Sequence, residues 1–215
     1  TYYKGAYSLK LDLCRPKSLY PAKAPGVILI HGGGWVGGER TRLTKLCQSL
    51  AGVGYVAATI DYRIATATTN HYPAQLDDVQ YAVRWLRYKA ATDPAGYPVD
   101  TNKIISWGES AGGNLASLLG ILETRSRSMG LTQYSSKTQA VVNEFGIQDL
   151  TLETYRTNEL MKYFMQTYIG YTYEQRPDLY REASPYHQAN SATAPFLMIG
   201  AGADTLVPVW ELDRM

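Results

Sequence analysis

Apolar positions along this chain follow two periods that take turns. Short, largely apolar runs at 27–30, 55–60 and 104–107 have the length and β-branched content of strands buried on both faces. Between them the period changes to that of a helix. Residues 43–53 put Leu43, Leu46, Cys47 and Leu50 on one face, and Gly52 or Gly54 ends the run. Residues 76–90 form a strongly amphipathic stretch in which Leu76, Val79, Val83 and Leu86 share a face. A further helix-like segment covers 114–119. Residues 7–13 read as an early edge strand closed by Arg15-Pro16, and 93–100 as a Pro/Gly turn into the strand that follows. Strand and helix alternate as a parallel sheet requires, which predicts an α/β chain with a mostly parallel central sheet flanked by helices. Asp77 and Asp78 fall in the first turn of the 76–90 helix, where the helix dipole favours negative charge, and read as caps rather than as a metal pair.

Two of the predicted strands end in chemistry. The 104–107 run leads into Gly108-Glu109-Ser110-Ala111-Gly112, a G-x-S-x-G pentapeptide, and the 114–119 helix follows at once. A sharp strand-to-helix turn strains its central residue and lifts the side chain clear of the sheet. The helix N-terminus beneath it offers free N–H groups to a developing negative charge. Ser110 is therefore the candidate nucleophile. The 27–30 run ends in His31-Gly32-Gly33-Gly34-Trp35. Consecutive glycines after a buried strand expose backbone N–H groups, and acyl transfer needs such donors for the oxyanion of its tetrahedral intermediate. Gly33, Gly34 and Ala111, the residue after the nucleophile, are the candidate donors. His31, directly before the glycines, reads as a buttress of the loop rather than as a base.

At this point the chain resembles the α/β-hydrolase serine esterases of the hormone-sensitive-lipase-like and feruloyl or acetylxylan (BD-FAE-like) esterase group. The likeness runs along nearly its whole length. His31 to Trp35 is similar to their oxyanion loop, Asp61-Tyr62-Arg63 to the strand end that follows, and Tyr72-Pro73-Ala74-Gln75-Leu76-Asp77-Asp78-Val79 to the start of their next helix. Trp107 to Gly113 is similar to their nucleophile elbow, and Phe145-Gly146-Ile147-Gln148-Asp149-Leu150 to the strand leading into their variable insertion. Ala194-Pro195-Phe196-Leu197-Met198-Ile199-Gly200 matches the strand before their catalytic acid, which places Asp204 at the acid's position. The resemblance implies a single α/β-hydrolase domain over 1–215, with residues 150–183 as a small helical lid or cap within it. That stretch is rich in aromatics, and Met161, Phe164, Met165 and Tyr168 recur in it at helical spacing. They read as packing on the body or as a pocket lining. Trp35, Glu109, Tyr72 and His71 are the positions the resemblance puts around the substrate.

One departure matters. In this fold the triad order is nucleophile, acid, histidine, yet no histidine follows Asp204 in this sequence. The histidines are His31, His71 and His187. His187 precedes the acid-bearing strand and is expected toward its N-terminal end, away from the carboxyl ends where ligands collect. His71 is expected in a substrate-pocket or surface role. The triad histidine is thus expected outside these residues, on a missing C-terminal part or a second piece of the protein.

Composition narrows the picture only a little. The 215 residues, 45% hydrophobic with a net charge of +2, suit a folded domain and argue against a disordered tail or a nucleic-acid footprint. No apolar run is long enough to span a membrane. Eighteen tyrosines suit carbohydrate or aromatic ligands and ordinary packing equally well. Cys14 and Cys47 fall in no reactive motif and read as packing residues. Secreted, periplasmic and cytoplasmic locations all stay open. The chain is expected to hydrolyse short-chain, aryl or carbohydrate-linked carboxylic esters with no cofactor and no metal. Its alternatives are a catalytically incomplete hydrolase scaffold and an arylformamidase or peptidase-type amidase.

Overall fold

The computed structural model of the chain describes residues 1–18, 23–126 and 128–214; Met215 lies outside them. A small antiparallel hairpin, β1 (Tyr3–Lys4) and β2 (Ser8–Leu9), opens the chain. Six further strands build the central sheet: β3 (Leu11–Cys14), β4 (Ala24–Ile30), β5 (Val56–Ile60), β6 (Val99–Glu109), β7 (Ala140–Glu144) and β8 (Phe196–Ile199). Their order across the sheet is β3-β5-β4-β6-β7-β8. Only β3 runs antiparallel, against β5; every other pairing is parallel. This is the mostly parallel sheet that the alternating pattern predicts. The edge strand expected at 7–13 is broken in two: β2 pairs within the hairpin, and only β3 joins the sheet.

Helices cover both faces because alternate residues of the buried strands point to opposite sides. Val27 and Leu29 of β4 pack with Leu43 and Cys47 of the first helical segment. Ile28 and Ile30 face the larger core instead, with α2 (Ala74–Thr92) and α3 (Ala111–Ile121). The first segment begins as a 3-10 turn at Arg40–Leu43 and continues as α1 (Thr44–Gly52). Leu76, Val79, Val83 and Leu86 of α2 are all fully buried, as their shared face predicts. Every residue of α3 is buried, so its small residues Ala111, Gly112, Gly113 and Ala116 let it lie close against the sheet. Buried polar groups fix its position. Ser106 donates its hydroxyl to the Ala116 carbonyl at 2.8 Å, and the Asn143 amide donates to Gly113 O at 2.9 Å and to Ser117 Oγ at 2.7 Å.

Two expectations fail here for the same reason, a partner brought close only by folding. Cys14 and Cys47 are joined in a disulfide that ties β3 to α1 across 33 positions of sequence. Asp78 is no exposed cap. It is fully buried, accepts from the Arg63 backbone N–H and guanidinium at 2.7–2.8 Å, and takes a hydrogen bond from Tyr7 Oη at 3.3 Å. Burial raises the Asp78 pKa, and the Arg63 guanidinium pulls in the opposite direction. Asp77 stays in the first turn, 3.8 Å from Arg125.

Between β7 and β8 lie α4 (Glu153–Thr157), α5 (Glu159–Ile169), α6 (Pro177–Glu182) and α7 (Pro185–Gln188). Asn158 caps α5, its side-chain oxygen accepting from the Leu160 and Met161 amides, and Gly170 ends it with φ 83°. Met161, Met165 and Tyr168 of α5 are buried against the body. Among the described residues no helix is long and apolar enough to cross a membrane.

Candidate active site

Ser110 stands between β6 and α3 at φ 52° and ψ −121°, a region that non-glycine residues rarely adopt. Its amide donates to Glu144 O of the neighbouring strand at 2.9 Å, and its carbonyl accepts from Asn114 N in the first turn of α3. The turn is tight enough to require glycine at position 108, where an added β-carbon would lie 2.1 Å from Gly112 O. The Ser110 hydroxyl has no partner among the described residues and is partly exposed. The motif thus folds as the strained turn its sequence predicts.

The 31–35 loop leaves the carboxyl end of β4, beside this turn. Among the described residues the Gly33 and Gly34 amides meet no acceptor, and Ala111 is the first residue of α3, whose leading amides have no intrahelical partner. The three expected donors thus have no acceptor among the described residues; Gly33 and Gly34 also line a cleft with Ser110, whereas Ala111 is fully buried and is not among its lining residues. His31 is fully buried, stacked on Tyr62 with ring centroids 4.3 Å apart. Its Nδ1 lies 2.8 Å from Gly32 O, an acceptor only, so Nδ1 carries the proton and the ring props the loop. Burial lowers the His31 pKa and keeps the ring neutral.

Ser110, Gly33, Gly34 and Asp204 line one cleft of about 410 Å³. Asp204 Oδ1 accepts from the Leu206 and Val207 amides at 2.8 and 2.9 Å, while Oδ2 has no partner among the described residues. Glu109 lines the cleft as expected; its Oε1 accepts from Gly32 N at 3.3 Å and pairs with Arg42 Nε at 2.5 Å. The remaining walls include Arg42, Phe145 after β7, Leu160 and Phe164 of α5, and Leu206 and Val207 beside the acid. Of the four α5 residues read as packing or pocket lining, Met161, Met165 and Tyr168 pack on the body, and Phe164, only partly buried, lines the cleft.

Three of the four expected substrate contacts lie elsewhere. Trp35 is fully buried and stacked on Tyr168, with centroids 4.2 Å apart, so it packs beneath the loop. Tyr72 is buried against α6, its hydroxyl donating to Glu182 at 3.3 Å. His71 sits with Nε2 3.0 Å from Thr66 O. None of the three lines the cleft.

His187 also lies away from it, but not where the sequence suggests. It sits on α7 beside the loop after β7, with Nε2 3.2 Å from Asp149 Oδ1. Asp149 also pairs with Arg214 at 2.8 Å. Next to it Glu211, fully buried, accepts from the Gln148 and Asp149 amides at 2.9 and 2.7 Å and from the Tyr155 hydroxyl. This network docks the 3-10 segment Val209–Arg214, which directly follows the Asp204 turn, onto the body. Burial lifts the Glu211 carboxyl from its ordinary 4.5 to about 7 despite those three donors.

A mostly parallel sheet with a strained serine at a strand-to-helix turn, facing an acid and a glycine loop, defines an α/β-hydrolase. The chain belongs to the BD-FAE family, whose model matches residues 11–213. It is similar to Esterase LipC of Mycobacterium tuberculosis, 31% identical over 203 residues, covering 93% of this chain and 49% of that protein. Esterase LipQ of the same organism is 28% identical, covering 96% and 48% respectively. The chain thus spans about half the length of these relatives. Its fold is similar to that of the butyrate-bound thermophilic esterase Est2 of Thermogutta terrifontis, with a TM-score of 0.80 and 25% identity over 99% of this chain and 74% of that one.

Proposed function

We propose that the chain carries the nucleophile, oxyanion site and acid of a serine carboxylesterase working through an acyl-enzyme. The observation that carries this reading is the convergence on one cleft of a strained Ser110, whose hydroxyl has no partner among the described residues, the Gly33 and Gly34 amides, which meet no acceptor among them, and Asp204. Ser110 Oγ attacks the ester carbonyl carbon as its proton passes to a histidine base. The carbonyl oxygen takes the negative charge and is held by the Gly33, Gly34 and Ala111 amides; each such donor is worth about 3–4 kcal/mol in the transition state. Collapse expels the alcohol, which takes the proton from the base, and leaves an acyl-Ser110. Water then attacks by the reverse proton path and releases the acid. Asp204, with Oδ2 free, orients the histidine and stabilises its charged form. That histidine is not one of the cleft residues of this chain.

The cleft suits a small ester. Phe145, Leu160, Phe164 and Leu206 offer apolar contact close to Ser110, and Est2 is solved with butyrate and with propionate bound. Residues 150–183 supply α5 to one wall and act as the lid of a single domain. The Cys14–Cys47 disulfide fits work in an oxidising compartment.

One observation favours a second reading, in which the chain is a scaffold that binds esters without turning them over: among the described residues no histidine lines the cleft. Turnover of 4-nitrophenyl acetate by the protein with its histidine base in place, and by the same protein carrying Ser110→Ala, separates the two. The esterase reading predicts turnover that the variant loses. Equal background rates for both proteins would support the scaffold.

A further inference from the structure

Two arginines of one 3-10 turn are used very differently. Arg40 spends its guanidinium on two carboxylates, Asp12 at 3.0 Å and Asp61 at 3.1 Å. Arg42, two positions on, turns to the cleft instead. It meets a single carboxylate oxygen, Glu109 Oε1, through Nε at 2.5 Å, and that same oxygen also accepts from the Gly32 amide. Its side chain is 59% exposed, and Nη1 and Nη2 have no partner among the described residues. A guanidinium presents its donors as a planar fork matched to a carboxylate, and here the outer half of that fork is free.

The rest of the cleft makes this cation distinctive. Its other charged members are Glu109, which Arg42 itself neutralises, and Asp204, whose Oδ1 is held by two amides and whose Oδ2 is reserved in the proposed mechanism for the histidine. The facing wall is apolar, with Leu160, Phe164 and Leu206. A ligand complementary to both sides has an apolar body and an anionic end.

We propose that Arg42 is an anion-recognition residue of this cleft, selecting esters that carry a carboxylate on the acyl or the alcohol half. The inference rests on the ester-binding reading of the same cleft and names its substrate class. Glu109 holds the guanidinium in place through Nε, and the substrate carboxylate takes the free Nη edge. The anion stays at the lip while the ester carbonyl reaches Ser110.

The test is equilibrium binding to the Ser110→Ala protein, which needs no turnover, read by NMR titration. Monomethyl glutarate probes a carboxylate on the acyl half and 4-acetoxybutyrate one on the alcohol half; methyl valerate and butyl acetate are their uncharged counterparts. A hydrogen-bonded charge contributes about 1.5–3 kcal/mol, so at least one anionic ester binds about tenfold or more tighter than its counterpart. Adding Arg42→Gln removes that advantage, whereas adding Arg42→Lys, which keeps the charge, retains part of it. Which anionic ester gains the advantage identifies the half that carries the charge. Equal affinity for charged and uncharged esters, binding of neither, or an advantage that survives Arg42→Gln would overturn the proposal. Turnover of neutral 4-nitrophenyl acetate by the wild type, measured separately, reports on the esterase reading alone.

Discussion

The ring of Phe164 lies directly over the α-carbon of Gly34, so close that a β-carbon added there would sit 2.6 Å from two ring atoms. Helix α5 thus rests on the 31–35 loop, and the 150–183 segment touches one of the proposed oxyanion donors directly.

This contact predicts a specific non-additivity. Gly34→Ala meets two obstacles, the Phe164 ring and a backbone at φ 62°. The left-handed conformation alone costs about 1–2 kcal/mol for a residue with a β-carbon. Gly34→Ala is expected to lower both stability and kcat, and adding Phe164→Ala is expected to restore the part due to the clash. Urea unfolding and 4-nitrophenyl acetate kinetics on the two single variants and the double variant check this; strictly additive losses would contradict the contact.

The disulfide supplies a second prediction. Closing a loop across 33 positions removes chain entropy from the unfolded state worth about 4 kcal/mol in the loop-entropy model. Replacing both cysteines, as Cys14→Ser with Cys47→Ser, is expected to lower the midpoint of unfolding clearly. Dithiothreitol is expected to do the same to the wild type and nothing to the double variant.

A pH dependence follows from Glu211. Its pKa rises from 4.5 to about 7 on folding, so the folded state holds the proton more tightly than the unfolded one. The stabilisation is fully present below about pH 4.5 and is lost as pH rises through about 7, a contribution on the order of 3 kcal/mol. The Tyr155 hydroxyl and the Gln148 and Asp149 amides meet the carboxyl, while His187 and Arg214 pair with the neighbouring Asp149; all remain in Glu211→Gln. That variant is expected to show a flatter stability profile between pH 5 and 8. Unfolding curves across that range, with the same slope in wild type and variant, would contradict it.

Breaking the Arg63–Asp78 pair gives a fourth. Asp78→Ala leaves Arg63 without its buried carboxylate beneath the loop after β5. The expected loss is about 3–5 kcal/mol, the usual effect of orphaning one partner of a buried pair. Chemical denaturation measures it, and a loss under about 1 kcal/mol, typical of a surface pair, would refute it.

What could be read from the sequence was local. The strand-to-helix turn at Ser110 and the glycine loop need particular residues at adjacent positions, so both are visible as motifs. Asp204 is legible only through resemblance to a family pattern, and the structure brings it to the same cleft as Ser110. Arg42, Phe145 and Leu160 join the site only because separate segments converge there, which no single window reveals. The Cys14–Cys47 bond is silent for the same reason, since two cysteines 33 apart define no framework. Trp35 shows the converse: it adjoins the glycine loop in sequence, yet an indole of that size is buried most completely under the loop, against Tyr168.

The central claim is that Ser110 carries the acyl group, and intact-protein mass spectrometry after brief mixing with 4-nitrophenyl acetate at low pH tests it most directly. The account predicts a mass increase of one acetyl group, mapped by digestion to the peptide containing Ser110 and absent in Ser110→Ala. An acetyl group on another residue, or none on Ser110 while the ester is turned over, would contradict it.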